Sequence, residues 1–218
     1  MAAVALLAAS AARAAEDDGL CRNGVFPKEQ GQFGLAKVTG GGRLGFLGDM
    51  DGCPNETPAC RGTGYVVAGD TLITGRAKGP YVCAFYPNRV GGSAGWVRAD
   101  RLAPAPVDHA PALSAWLGRW KDGDDSIRLT ARGGALVADG AAFWPSANPS
   151  LAERPGGPNT GELSGSARPV GSRVVFRDGD DQDACRATLT LVGPFLVVSD
   201  NDNCGGMNVS FTGVYTRR

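Results

Sequence analysis

Residues 185–215 constrain the fold more than any other part of this chain, because they read as two strands around a tight turn with a third strand behind them. Ala187, Leu189 and Leu191 alternate with Thr188 and Thr190, Gly193-Pro194 supplies a turn, and Leu196-Val197-Val198 begins the return. With the turn centred between Pro194 and Phe195, Val192 faces Val197 and Cys185 faces Cys204. A cross-strand disulfide between those cysteines follows from the register. Val209 to Tyr215 reads as the closing strand.

The rest of the chain agrees with an all-β protein. Its 218 residues include 33 Gly and 14 Pro, and no window of useful length carries amphipathic helical periodicity. Twenty-two basic residues balance twenty-two acidic ones, so the formal net charge is zero. No basic stripe follows a phosphate backbone, which argues against a nucleic-acid partner.

Residues 1–14 form a short Ala/Val/Leu run ending in Ala12-Arg13-Ala14, a small-x-small cleavage pattern read as a signal peptide. The run is too short to span a bilayer. A buried helix of the fold is the competing reading. Six cysteines in an exported chain imply disulfides in an oxidising compartment, periplasmic or extracellular. Zinc needs closer ligand pairs than Cys53 and Cys60, and the chain has one histidine. The local loop from Cys53 to Cys60 closes most readily, which leaves Cys21 for Cys83. If Val82 and Ala84 face a core, alternation turns Cys83 outward, and the amino-terminal segment lies across that outer face.

In order, the first strands fall at Leu35 to Thr39, at Tyr65 to Val67 after a Gly-rich excursion, at Thr71 to Gly75, and at Tyr81 to Tyr86. Gly95-Trp96-Val97 and Leu102 end the unit. Ala36-Lys-Val38, Gly69-Asp70 before a strand, Gly79-Pro-Tyr81-Val82 and Gly95-Trp96-Val97 ahead of Arg101-Leu102 resemble bacterial-type Src-homology-3-like (SH3b) domains. The resemblance covers residues 34–102 and implies a small five-stranded barrel within a domain of residues 15–102. It also implies cell-wall binding, with aromatics lining a groove between the long loops. Trp96 and Tyr81 are the first candidates for that groove, and Tyr65 and Phe46 the next. Core packing is the competing fate for these side chains.

Residues 103–112, Ala-Pro-Ala-Pro-Val-Asp-His-Ala-Pro-Ala, read as a stiff extended linker. Residues 113–218 then give about eight strands in meander order, which suits a closed antiparallel barrel or a sandwich. Gly118-x-Trp120 and Gly213-x-Tyr215 mark the opening and closing strands, and barrel closure sets these side by side. Gly-x-Trp on an opening strand resembles the lipocalin and avidin superfamilies. A small disulfide-bonded exported barrel is similar to the periplasmic lysozyme inhibitors.

The single histidine, His109, sits in the linker, so no Ser-His-Asp or Cys-His arrangement can be built in a rigid core. Asp122-Gly-Asp-Asp125 and Asp178-Gly-Asp-Asp-Gln-Asp183 lack the pattern of a helix-flanked calcium loop and read as solvated Asp-Gly turns. No cofactor or metal is expected. The expectation is a monomeric, non-enzymatic exported envelope protein that binds peptidoglycan or an envelope protein. The alternatives are an inhibitor of a secreted hydrolase such as lysozyme and, third, a carboxylate-based glycosidase.

Overall fold

The structure, a computed structural model, describes residues 19–29, 31–88 and 91–218. The expected signal peptide, residues 1–14, lies outside the described residues. Almost all regular structure is β, and among the described residues no helix is long and apolar enough to cross a membrane.

The first unit is a seven-stranded antiparallel sheet. It comprises β1 (Gly34–Val38), β2 (Arg43–Leu47), β3 (Arg61–Val67), β4 (Thr71–Lys78), β5 (Tyr81–Tyr86), β6 (Ser93–Arg98) and β7 (Leu102–Ala105). β4, β5 and β6 form a meander, β1 lies between β4 and β7, and a 3-10 turn at Ala99–Arg101 leads into β7. The strand not expected from the sequence is β2: it lies within the Gly-rich excursion, pairs with β3, which holds the expected strand Tyr65 to Val67, and docks on β6 where Leu47 meets Trp96. Ala84, Val97, Leu72, Val38, Leu44, Phe46 and Val66 fill one face of the sheet. Alternation sends Tyr81, Cys83 and Phe85 to the other. There the amino-terminal segment covers them with Cys21 and with Phe26 of α1 (Phe26–Glu29). The Cys21–Cys83 bridge pins this strap, with Cα atoms 5.6 Å apart. Asp49 holds it as well, accepting from the Cys21 N–H at 2.8 Å and from Arg22 Nη2 at 2.6 Å.

The expected linker needs correction at its start. Ala103, Pro104 and Ala105 belong to β7 and pair with Lys37, Ala36 and Leu35. β7 is the edge of its sheet, where proline's missing N–H interrupts no inner ladder.

The second unit is an eight-stranded meander that nearly closes into a barrel. Its strands are β8 (Gly118–Asp122), β9 (Asp125–Arg132), β10 (Ala135–Trp144), β11 (Asn159–Ala167), β12 (Arg173–Asp178), β13 (Cys185–Val192), β14 (Phe195–Asp200) and β15 (Gly213–Arg217). β15 pairs with β8, so the opening and closing strands are neighbours, and the seam left without a ladder is between β11 and β12. Residues 201–212 reach back over one end and bridge Gly205 to Gly161, beside a hydrogen bond from Glu162 N–H to Cys204 O at 3.1 Å. A Cβ at Gly161 would stand 2.5 Å from the Cys204 carbonyl oxygen, so the crossing requires glycine there.

The register of the β13–β14 hairpin also differs from expectation. Val192 faces Phe195, not Val197, because the turn is the two residues Gly193-Pro194, with Gly193 at the positive φ such turns demand. In that register Cys185 has no direct partner at Cys204. β14 ends at Asp200, Asp202 takes φ 61°, and the returning chain brings Cys204 to 4.5 Å from Cys185, Cα to Cα. The bridge therefore forms through a loop and not across a ladder. The third disulfide, Cys53–Cys60, closes its local loop, and no described cysteine is free.

The units are not independent cores. Val192, Val197 and Val214, on the outer face of the barrel, join Phe26, Phe85, Ile73 and Leu35 in one buried cluster. Lys28 Nζ bonds Asp202 at 2.6 Å across the same junction. Gly193 meets Leu35 so closely that a Cβ there would lie 2.7 Å from Leu35 Cδ1.

Candidate binding surfaces

Of the four aromatics expected to line a groove, the structure buries three. Trp96 (1% exposed) and Tyr81 (8%) face the strap side of the sheet, and Phe46 (5%) faces its inner core. Trp96 is covered because it sits opposite Cys83 on β5, under the segment that Cys21 anchors. Tyr65 alone is open, at 47%, beside exposed Val67 on the same face of β3. The Arg43 guanidinium lies 4.2 Å from the centre of its ring.

Among the described residues the barrel interior is packed with side chains. Trp120, Ile127, Leu129, Leu136, Leu163, Phe176, Leu189, Leu196 and Tyr215 fill it, with Trp116 and Phe211 packed among them. Trp120 Nε1 donates to Trp116 O at 2.9 Å, and the Tyr215 hydroxyl to Phe211 O at 3.0 Å, so two of the polar tips are satisfied inside the core.

A polar groove of about 940 Å³ runs along the junction of the units, between Phe85, Pro87 and the Asp122-Gly-Asp-Asp125 turn. The turn is less solvated than expected: Asp122 and Asp125 are half-buried and only Gly123 and Asp124 are exposed. Asp122 accepts from Val214 N–H at 3.2 Å, Asp124 from Ala147 N–H and Asp125 from Phe143 N–H, both at 2.9 Å. Burial pushes the Asp125 carboxyl up to about 6, opposed by the Phe143 N–H and reinforced by Asp122 and Asp124. Asp122 is likewise raised by burial. Such a carboxyl resembles a general acid, but Asp122 and Asp125 are cross-strand partners on one hairpin and so share one wall of the groove. A glycosidase needs its carboxyls on either side of the scissile bond. Among the described residues no group of three or more His, Cys, Asp or Glu is placed to hold a metal ion.

The two ends of the barrel differ sharply. One end carries exposed Arg119, Arg132, Arg168, Arg173, Arg217 and Arg218 on its turns and strand ends, with no carboxylate in those stretches. The other end, formed by the turn after β8, the end of β12 and residues 145–158, 179–184 and 201–212, carries exposed Asp124, Glu153, Asp178, Asp180, Asp181, Asp183 and Asp202, against exposed Arg177 and half-buried Arg154, with Asp202 paired to Lys28. Within this acidic end stand three exposed apolar side chains, Trp144 (36%), Leu151 (78%) and Met207 (79%). One polar relay joins the segments of Trp144 and Met207. Arg154 sits 5.5 Å from the Trp144 ring centre and donates to Asn159 Oδ1 at 2.5 Å, and Asn159 Nδ2 donates to Met207 O at 2.6 Å. Leu151 lies on the turn that Arg154 N–H closes onto Ser150 O. None of the three is among the binding candidates expected from the sequence. The available signal was a large apolar residue inside a Pro/Ser or Gly/Asn loop, where no strand face exists to bury it.

Comparison with family models, with curated proteins and with solved structures finds no match to this chain.

Proposed function

We propose that this protein is an exported, non-enzymatic binding protein of the bacterial envelope that engages its ligand on its outer surface. The observation that carries the reading is the solid interior. Trp96, Tyr81 and Phe46 lie in cores and side chains fill the barrel, so the exposed loops and strand faces are left for recognition. Three disulfides in one chain support an oxidising compartment. Arg217, stacked 4.6 Å from the Trp120 ring centre and bonded to Ala115 O, ties the closing strand to the Gly-x-Trp strand, which supports reading the second unit as a closing antiparallel barrel.

A protein ligand fits this surface better than peptidoglycan, whose carboxylates the acidic end repels. The inhibitor of a secreted hydrolase is thus the second reading, and the apolar patch on the acidic end favours it. The intact oxidised protein is expected to turn over no peptidoglycan, peptide or ester, and to slow a lysozyme at stoichiometric concentration. Sedimentation with purified peptidoglycan, with no effect on lysozyme, would return the ligand to the cell wall. Glycan turnover abolished by replacing Asp125 would end the non-enzymatic reading.

A further inference from the structure

We infer that the acidic end of the barrel is a docking surface for a cationic protein segment bearing apolar side chains, with Trp144 and Met207 as its anchors. The inference rests on the binding-protein reading and names the partner's chemistry and the place it sits. A partly exposed tryptophan joined through its cross-strand partner Asn159 to the almost fully exposed Met207 is unusual in a domain whose other tryptophans, Trp116 and Trp120, are completely buried. Such anchors supply most of the energy at protein interfaces. The Arg154–Asn159–Met207 relay and the Gly205–Gly161 crossing set this patch on ordered backbone, so little ordering is required on binding.

Charge selects the occupant. The molecule has zero formal net charge, yet one end of its barrel carries exposed arginines without carboxylates and the other carries seven exposed carboxylates against Arg154 and Arg177. Asp180, Asp181 and Asp183 stand exposed in the loop beside Asn201, whose Nδ2 donates to Ala184 O at 2.9 Å. A field of this sign steers a basic partner in and repels phosphates and anionic glycans. The competing occupant is a second copy, its arginine end set against the acidic end.

The test uses the intact oxidised protein and three labelled peptides of equal length: an amphipathic Lys/Leu peptide, a Lys/Ser peptide and a Glu/Leu peptide. Fluorescence anisotropy is expected to rank Lys/Leu first by about tenfold over Lys/Ser, with no binding of Glu/Leu and with affinity falling as salt rises. Trp144 is the exposed one of four tryptophans, so acrylamide quenching should fall when Lys/Leu binds. Trp144→Ser and Met207→Ser should each weaken Lys/Leu by about tenfold with an unchanged melting temperature. Asp180→Asn with Asp181→Asn and Asp183→Asn should weaken it similarly and flatten its salt dependence. Equal binding of Lys/Leu and Lys/Ser, or indifference to these substitutions, overturns the surface. So does concentration-dependent self-association in sedimentation velocity that the same substitutions abolish. Loss of the surface with no hydrolytic activity leaves the binding-protein reading standing, whereas glycan turnover removes that reading whatever the peptides do.

Discussion

At the scale of single residues, the same chemical type has opposite uses in different places. Trp96 is sealed beneath the strap and Trp144 stands open, although both occupy β-strands. Trp96→Ala is therefore expected to lower stability by about 3–5 kcal/mol, the cost of an emptied aromatic site, and to leave Lys/Leu peptide affinity unchanged. Urea unfolding and anisotropy separate the two effects, and lost affinity at full stability would count against the burial argument. The carboxylates divide in the same way. Burial pushes Asp49 up, but the Arg22 guanidinium and the Cys21 N–H more than offset it and hold Asp49 below the ordinary aspartate range. Asp125 goes the other way, from 3.8 to about 6, because burial dominates there. A raised folded-state value favours the protonated form, so Asp125 contributes stability that is fully present below about pH 4 and is lost as pH rises through 6. Asp125→Asn should consequently melt above the parent at pH 7.5, with the gap closing toward pH 4. A gap independent of pH would place the effect elsewhere than in this titration.

At the scale of elements, the disulfides tie down segments that make few ladder hydrogen bonds of their own. The strap of residues 21–29 has one short helix and depends on Cys21–Cys83, on Asp49 and on Phe26 packed 5.5 Å from Phe33 and from Phe85, ring centre to ring centre. Across the barrel, the loop of residues 201–212 covers the end of the one seam without a ladder, and Cys204 lies within that cover. Replacing Cys185 and Cys204 together by Ser should speed amide exchange at Glu162 and Gly206, whose N–H groups bond Cys204 O and Thr160 O. Exchange at Leu189 and Val198, in the middle of paired strands, should change less. Uniform acceleration at all four amides would mean that the bridge supports the whole barrel and not its seam.

At the scale of the molecule, the two sheets share a core that neither completes alone. Val192, Val197 and Val214 would face water in an isolated barrel, as Phe26 and Phe85 would in an isolated first unit. Asp108, His109 and Ala110, past the end of β7, are exposed and outside any strand, so limited proteolysis should cut near there first. The two fragments should then co-elute on gel filtration in native buffer and separate only in denaturant. Separation without denaturant would show that the shared cluster contributes too little to hold the units together.

Alternation along residues 185–198, paired with Gly193-Pro194, already dictates a hairpin, because a period of two allows one face to be buried and only a turn residue allows the reversal. The same local rules reach the meander order of the barrel, the nearness of Gly118-x-Trp120 to the closing strand and the outward turn of Cys83. They do not reach further, since periodicity says that a side chain faces away from one core and is silent on what covers the other side. The groove that the Src-homology-3-like resemblance implies at Trp96 and Tyr81 is lost for that reason, because the distant strap of residues 21–29 covers that face. The register of Cys185, the capture of Pro104 at a sheet edge and the shared cluster around Val197 likewise depend on contacts between residues far apart in the chain. The excess of carboxylates at one end of the barrel is of the same kind: charges interleaved along the sequence collect at one rim because successive turns of an up-and-down barrel alternate between its two rims.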